Sequence, residues 1–156
     1  MGRMYTVQFT GVAVTAQQDF FEIVAAAGKT CKIRGVMLSQ STEVGDAQEE
    51  GLSILFKSGS TTSGSGGSAP APVPTNVNDA AAGFTAEANN TTKASVGTIV
   101  THVADNWNVR MPYMWMMPEE MCVQLTGGRR FTLELGTTPA DSITMSGYIT
   151  WSEGEA

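Results

Sequence analysis

Residues 58–74 read Ser-Gly-Ser-Thr-Thr-Ser-Gly-Ser-Gly-Gly-Ser-Ala-Pro-Ala-Pro-Val-Pro, and polar residues continue to Asn78. Glycine and serine give way here to proline alternating with small residues. Such a composition cannot bury apolar surface or keep a regular sheet ladder. Loops of this length without structure of their own are uncommon in compact domains, and are usually functional or disordered. We therefore predict an extended loop or arm over residues 58–78.

The sequence on both sides of this segment predicts short β-strands. Residues 131–135 read Phe-Thr-Leu-Glu-Leu, and this alternation points the apolar side chains inward and the polar ones outward. Residues 5–10 alternate in the same way. We count about eight or nine such strands, with frequent turn signals and no long helical period. This pattern favours an all-β protein, a β-sandwich of the jelly-roll type, with an immunoglobulin-like sandwich as the alternative.

Length and composition favour a single domain. The 156 residues suffice for one core, so we predict one β-sandwich domain, 1–156, ending in a flexible acidic tail at 152–156. The net charge is −6 and the basic residues are scattered, which argues against a nucleic-acid binder. No run approaches the roughly 18 apolar residues of a membrane span. No secretory signal precedes the first strand, so we expect synthesis in the cytoplasm.

Few residues favour metal or redox chemistry. Cys31 and Cys122 match neither a zinc nor a CxxC spacing, and we favour two buried thiols over a disulfide between strands. The single histidine, His102, is interpreted as a polar strand position. Residues 42–51 form an acidic loop that we interpret as solvated, because its spacing differs from a calcium-binding EF-hand loop. We predict no cofactor and no metal. The acids considered as calcium ligands are Glu43, Asp46, Glu49 and Glu50.

We also predict that the protein is not an enzyme. Nucleophilic catalysis needs a base beside the nucleophile, and no serine or cysteine motif lies near His102 in the sequence. A hydrolase using paired carboxylates is a minor alternative, with Glu119, Glu120 and Glu134 on or near strands. Solvent-facing positions explain these three acids equally well.

The segment from Met111 to Met121 is unusual in composition, because it holds five methionines together with Tyr113 and Trp115. The prolines at its edges favour an edge strand or a bent segment. Such side chains either fill irregular gaps in a core or make an adaptable contact surface, and we leave both interpretations open. The candidate partner-contact residues are Pro70, Pro72, Pro74, Met111, Tyr113, Met114, Trp115, Met116 and Met117.

Four segments resemble small proteins encoded by tailed bacteriophages and prophages. They are Val-Gln-Phe-Thr-Gly-Val-Ala-Val-Thr-Ala (7–16), Ser-Gln-Ser-Thr-Glu-Val-Gly-Asp-Ala-Gln (39–48), and residues 61–70 with 80–92. The resemblance extends to about Trp107 and lies mostly in loops. It implies a virion structural protein, of the head decoration (cement) or minor capsid type. The implied partners are the major capsid protein and further copies of the chain, as a homotrimer on the capsid surface. It implies no nucleic acid, membrane or small-molecule substrate.

The composition of the arm fits such a role. Proline holds residues 69–74 extended at about 3.1 Å per residue, which lowers the entropy cost of ordering them against a partner. A closed homotrimer would bury the aromatic and methionine face. The alternative is a receptor- or glycan-binding module, of the fibre-tip or lectin-like kind. Its sugars would stack on exposed Trp107, Tyr113 or Trp115.

Overall fold

Two antiparallel sheets pack face to face and form a β-sandwich, as the alternating pattern predicted. The computed structural model describes residues 2–42 and 49–155. Most of the predicted acidic loop, residues 43–48, therefore lies outside the described residues. The strands are β1 (Arg3–Val14), β2 (Gln18–Val24), β3 (Lys29–Gln40), β4 (Gly51–Thr62), β5 (Val73–Pro74), β6 (Thr85–Asn90), β7 (Ser95–Asn108), β8 (Tyr113–Met116), β9 (Gln124–Thr126), β10 (Arg130–Leu135) and β11 (Ile143–Glu155).

Sheet 1 has the order β5-β1-β11-β3-β8, and β9 pairs with β3 beside β8. Sheet 2 has the order β6-β2-β10-β4-β7. The only helical element in the described residues is one 3₁₀ turn, Glu119–Met121. No helix in that part of the chain is long and apolar enough to cross a membrane.

The core lies between the two sheets and follows the period of two. Phe131, Leu133 and Leu135 of β10 are fully buried, and Tyr5 and Val7 of β1 are buried with them. Because alternate residues of a strand point to opposite faces, β1 and β10 each contribute one row of apolar side chains to the core. The alternation therefore identified the inward-facing residues of these two strands correctly.

The extended loop or arm predicted over residues 58–78, which we call the excursion, is ordered along most of its length. β4 continues to Thr62, beyond the strand end expected from the sequence. Ser65 and Ser68 then form bridges to Thr92 and Ala88 beside β6. Val73–Pro74 pairs with β1 as a short fifth strand of sheet 1. The excursion thus crosses the outer face of sheet 2 and ends on the edge of sheet 1.

Close backbone approach explains why the first half of the excursion is rich in glycine. A Cβ atom on Gly67 would collide with the carbonyl oxygen of Ala88, and one on Gly64 would lie 2.7 Å from the carbonyl oxygen of Thr92. Only glycine allows two backbones to come this close. The residues that looked unable to form structure therefore allow the segment to lie directly against β6 and against Thr92, two residues beyond the end of β6.

The end of the chain differs from the flexible tail that its acidic composition suggested. Residues 152–155 continue β11 and pair with residues 29–32 of β3. The indole Nε1 of Trp151 also donates a hydrogen bond to Glu153 Oε1 at 3.0 Å. The pairing partner lies more than a hundred residues earlier, so the local composition did not indicate it.

Candidate functional site

The sandwich has a closed side and an open side. On the closed side, residues 65–68 cover the edge of β6 and Val73–Pro74 covers the edge of β1. On the open side lie the outer edges of β7 and β8, for which the described residues contain no further strand partner. We use "open side" for β7, β8 and the segments 109–112 and 117–121.

Exposed apolar side chains are concentrated on the open side. Ten large apolar side chains are exposed in the described part of the chain, and seven of them belong to the open side. Exposed apolar surface that is concentrated in this way marks contact sites more often than scattered exposure does. The seven are Val96, Ile99, Val100, Met111, Met114, Met116 and Met121.

Along the short strand β8, the side chains alternate between the core and the surface. Tyr113 and Trp115 point inward and are buried, and the Trp115 ring lies 4.6 Å from the Phe56 ring, centroid to centroid. Met114 and Met116 point outward and are 66% and 72% exposed. Both interpretations left open by the sequence therefore apply, to alternate residues of one strand.

The outward methionines join a wider patch on the outer face of sheet 1. Tyr148 of β11 lies opposite Met37 of β3, which in turn lies opposite Met114 of β8. Met116 lies opposite Gly35, where the absence of a side chain leaves room for its sulfur-bearing chain. We call Met37, Met114, Met116 and Tyr148 the methionine patch. Its members come from three adjacent strands and form one continuous surface.

Two further methionine candidates flank this strand. Met111 is exposed, and its carbonyl oxygen accepts a hydrogen bond from the indole nitrogen of Trp107. Met117 is half-buried and packs against the core. Met111 therefore extends the open side, whereas Met117 helps to close the sandwich beneath it.

The three proline candidates lie on the closed side. Pro70, Pro72 and Pro74 are each half-buried, and Pro74 pairs with Tyr5 of β1. A cavity of about 300 Å³ remains between residues 70–73 and β1. The structure therefore places the prolines against the chain's own first strand, away from the methionine patch.

Eleven of the twelve aromatic side chains are buried, and Tyr148 is the exposed one. Trp107, Tyr113 and Trp115, which the glycan-binding alternative required at the surface, are all buried. Burial raises the pKa of Tyr113 to about 12, and the nearby Asp105 carboxylate adds to this shift. Tyr148 borders a shallow groove of about 200 Å³ whose polar lining residues are Gln8, Thr10, Ser39 and Ser146.

A buried polar network on the outer face of sheet 2 was not predicted from the sequence. Glu22 of β2 is 1% exposed and accepts hydrogen bonds from Arg130 Nε at 2.5 Å, Ser63 Oγ at 2.7 Å and the Gly64 amide at 2.9 Å. The carboxylate thus fixes the start of the excursion to the sheet. A buried charge is tolerated only when it is paired and hydrogen-bonded, as here.

Glu134 of β10 shows why the network was missed. It points outward, as the alternation predicted, yet it is buried, together with its outward neighbour Thr132. Lys57 Nζ lies 2.7 Å from Glu134 Oε2, and Lys93 Nζ lies 3.0 Å from Oε1. Those lysines are remote in sequence, so the local pattern identified the face but not the cover over it.

The third buried acid, Asp19 of β2, forms no ion pair with any described residue. Its Oδ2 accepts a hydrogen bond from the Ala94 amide at 2.7 Å, and its Oδ1 has no hydrogen-bond partner among the described residues. Burial is the main cause that raises the pKa of Asp19 to about 7; the charges of Glu134 and Glu22 act in the same direction. The Ala94 hydrogen bond and Lys93 oppose that rise.

The carboxylates considered for hydrolysis are not brought together. Glu119 lies in the 3₁₀ turn beside sheet 1, 3.0 Å from Lys32 Nζ and 3.7 Å from Arg34 Nη1. Its hydrogen bond to Lys32, followed by the charges of Lys32 and Arg34, lowers the pKa of Glu119. Glu134 belongs to the other sheet, and Glu120 is exposed in the same turn as Glu119.

One contact of the single histidine was also unforeseen. His102 Nε2 lies 2.7 Å from Ser58 Oγ, on the neighbouring strand β4. The register of β4 and β7 shifts between Phe56 and Lys57, opposite His102, and the sequence gives no sign of that bulge. No described carboxylate hydrogen-bonds to the other ring nitrogen, so the third member of a catalytic triad is not in place.

The two cysteines are free thiols. Cys31 is buried in the core, and this burial raises the pKa of its thiol. Cys122 is half-buried, and its thiol donates to the carbonyl oxygen of Pro118 at 3.2 Å. In the described residues no group of three or more His, Cys, Asp or Glu side chains is arranged to hold a metal ion.

A comparison with protein-family models finds no match for this chain. A search of curated proteins finds no similar sequence either.

Proposed function

We propose that this protein is a non-enzymatic structural protein of a tailed-phage virion, made in the host cytoplasm. In this proposal it decorates or cements the capsid by protein–protein contacts. The observation that carries the proposal is the concentration of exposed methionine and aliphatic side chains on the open side. We name a tailed-phage particle because four segments resemble small phage proteins.

The chemistry of the open side supports a protein partner. Methionine is unbranched and polarisable, so it adapts to an irregular apolar surface, and it is enriched in the cores of protein interfaces. The methionine patch carries no charged side chain. A protein of net charge −6 therefore brings this surface against another copy or a capsid subunit with little local repulsion.

The closed side supports the same proposal, because it is already ordered by its own contacts. Glu22, paired with Arg130, fixes the excursion to sheet 2 through Ser63 and Gly64, and β5 holds Pro74 on β1. A binding surface is effective when the scaffold behind it is already ordered, because association then costs less conformational entropy. We propose that the closed side supplies that rigidity and that the open side supplies the contacts.

The strand order supports the finer proposal that the sandwich is a jelly roll. With β5, β6 and β9 set aside, the two sheets have the orders β1-β11-β3-β8 and β2-β10-β4-β7. Eight strands remain, and β1 and β2, β3 and β4, and β10 and β11 lie in opposite sheets. Interleaved Greek keys in two sheets have this eight-stranded form.

One observation favours the glycan-binding alternative in a different place from the one first considered. Tyr148 is exposed beside the groove lined by hydroxyl and amide side chains, and an exposed ring next to such groups can stack on a sugar. A glycan array probed with wild-type protein and with Tyr148→Ala tests it. Binding that is lost in the variant would favour this alternative over capsid decoration.

The leading proposal is tested with charge substitutions on the two sides. Met114→Lys and Met116→Lys place a charge in the methionine patch. Val77→Lys, at an exposed position outside the open side, serves as the control. Light scattering gives the oligomeric state, and co-sedimentation with purified phage heads gives binding.

We expect wild-type protein and Val77→Lys to form a trimer and to bind heads, and both methionine variants to lose head binding, trimerisation or both. All three substitutions are at exposed sites, so unfolding free energies should stay within about 0.5 kcal/mol of wild type. Wild-type protein that stays monomeric and does not bind heads would contradict the proposal.

A further inference from the structure

The outer face of sheet 2 contains three acids that are almost completely inaccessible to solvent. Asp19 and Glu22 lie on β2, and Glu134 lies on the adjacent strand β10. Two segments contact them: Ser63 and Gly64, before the chain reaches the edge of β6, and residues 91–94, which connect β6 to β7. We call residues 91–94 the corner segment.

Two of the three acids have cationic partners. Glu22 is paired with Arg130, and Glu134 is shared by Lys57 and Lys93. A fourth acid, Glu87 of β6, is only half-buried, and its Oε2 accepts a hydrogen bond from Asn90 Nδ2 at 2.6 Å. Within the described ranges, the cations that pair with acids on this face, Arg130, Lys57 and Lys93, are therefore engaged with Glu22 or Glu134.

Asp19 is the exception. It has no ion pair among the described residues, and its Oδ1 has no hydrogen-bond donor. Its register partner on β10 is Glu134, a like charge directly opposite in the sheet. Its partner on the other side is the neutral Asn90 of β6. Like charges opposite each other are unfavourable, and a buried charge without a partner is more so.

Asp19 nevertheless holds a structural contact. Its Oδ2 accepts a hydrogen bond from the Ala94 amide at 2.7 Å, at the end of the corner segment. The neighbouring Lys93 spans from Glu134 Oε1 to Gln17 Oε1, at 3.0 Å in each case. The corner segment is thus attached to sheet 2 by Asp19 and Glu134, which face each other.

We propose that Asp19 is a proton-binding latch: protonated, it keeps the corner segment on sheet 2, and on losing the proton it loosens that segment. The neutral acid still accepts the Ala94 hydrogen bond through one oxygen. The ionised acid adds a second negative charge beside Glu134, close to Glu22, and competes with Glu134 for Lys93. Relief of that repulsion requires water or movement of the corner segment.

The direction of the pH dependence follows from linkage. Asp19 has an ordinary pKa of 3.8, and in the folded protein burial raises that pKa to about 7. Between these values folding takes up one proton, so the stabilisation is complete below the ordinary pKa and is lost as the pH rises through about 7. Over that window the unfolding equilibrium constant rises by up to about tenfold per pH unit from this group alone.

Asp19→Asn is the direct test, because asparagine has nearly the same shape and carries no charge at any pH. Asp141→Asn, at an exposed site, is the matched control. Urea unfolding from pH 4 to 8 should show a loss of stability as the pH rises to about 7, and no further loss from this group above it, in wild type and in Asp141→Asn. In Asp19→Asn the slope of unfolding free energy against pH should be less steep, by the amount that corresponds to about one proton taken up on folding. An unchanged slope in Asp19→Asn overturns the proposal.

Two measurements on wild-type protein keep the test independent of how the variant folds. The carbon-13 shift of the Asp19 carboxyl should titrate near neutral pH, and a midpoint below 5 overturns the proposal. Hydrogen exchange at the Ala94 amide should accelerate between pH 6 and 8 by more than the intrinsic pH effect on exchange. An Ala94 amide that keeps the same protection factor at both pH values also overturns it.

Discussion

The closed side and the open side of the sandwich differ in how their edge strands are covered. On the closed side, the excursion covers the edges of β1 and β6, and buried ion pairs hold it down. On the open side, no strand of the described residues covers the outer edges of β7 and β8, and seven large apolar side chains of those residues are exposed there. The comparison indicates that the long polar segment, although it looks like the part that reaches outward, is the part that closes the molecule.

The open edges are nevertheless protected against uncontrolled strand addition. β7 contains two register shifts relative to β4, and Pro112 and Pro118 stand close to the two ends of β8. Bulges, prolines and short edge strands are the usual devices that prevent edge-to-edge aggregation. We therefore expect contacts on the open side to be made by side chains, with the methionines contributing most.

The largest expected effect separates the two faces of β8. Trp115→Ala removes a buried ring that contacts Phe56, and it should lower the unfolding free energy by about 3–5 kcal/mol. Met114→Ala, one residue earlier on the exposed face, should change it by less than about 0.5 kcal/mol. Urea denaturation of both variants checks this, and equal losses would mean that β8 does not alternate as described.

The next effect tests the network of the closed side. Arg130→Met leaves Glu22 buried without its cation. It should lower the unfolding free energy by about 3 kcal/mol, because removing one partner of a buried ion pair leaves the other charge uncompensated. Arg129→Met is the control, because Arg129 is adjacent and exposed. Thermal unfolding near neutral pH measures both. If the two variants lost the same stability, the network would not fix the closed side.

A smaller effect tests the close approach of the excursion to β6. Gly67→Ala introduces a Cβ that meets the backbone of Ala88 and Asn89, and overpacking of this kind costs about 1–3 kcal/mol. In Gly51→Ala the new Cβ meets nothing within 4 Å, so stability should stay equal or rise slightly. Limited proteolysis should cut residues 63–68 faster in Gly67→Ala alone. Equal cutting would contradict the described packing.

The sequence predicted the core better than it predicted the outer faces. Alternation within one strand is local, so the inward positions of Phe131 and Leu133 followed directly from it. The burial of Glu134 did not, because it depends on Lys57 and Lys93, which the topology brings together from distant parts of the chain. The order of the excursion was missed for the same reason. Its glycines are needed because they lie close to the backbone of residues that are distant in the sequence.

The candidate site was predicted in part. The composition singled out the segment around β8, and the structure places Met111, Met114 and Met116 at the surface there. It does not bring the prolines to that surface, because Pro74 pairs with β1 and Pro70 lines the cavity beside that strand. Tyr148 and Met37 were not among the candidates, and only the register of β11 and β3 reveals that they adjoin Met114.

Methionine oxidation footprinting in assembled particles tests the central claim most directly. Met114 and Met116 are exposed in the single chain, whereas Met4 is half-buried on β1 and Met145 is fully buried. Met4 therefore reports general reactivity, and Met145 reports that the fold stays intact. If the open side is the binding surface, sulfoxide formation at Met114 and Met116 should fall by severalfold between free protein and purified virions, while Met4 and Met145 stay unchanged. Equal oxidation of Met114 and Met116 in the two states would contradict the account.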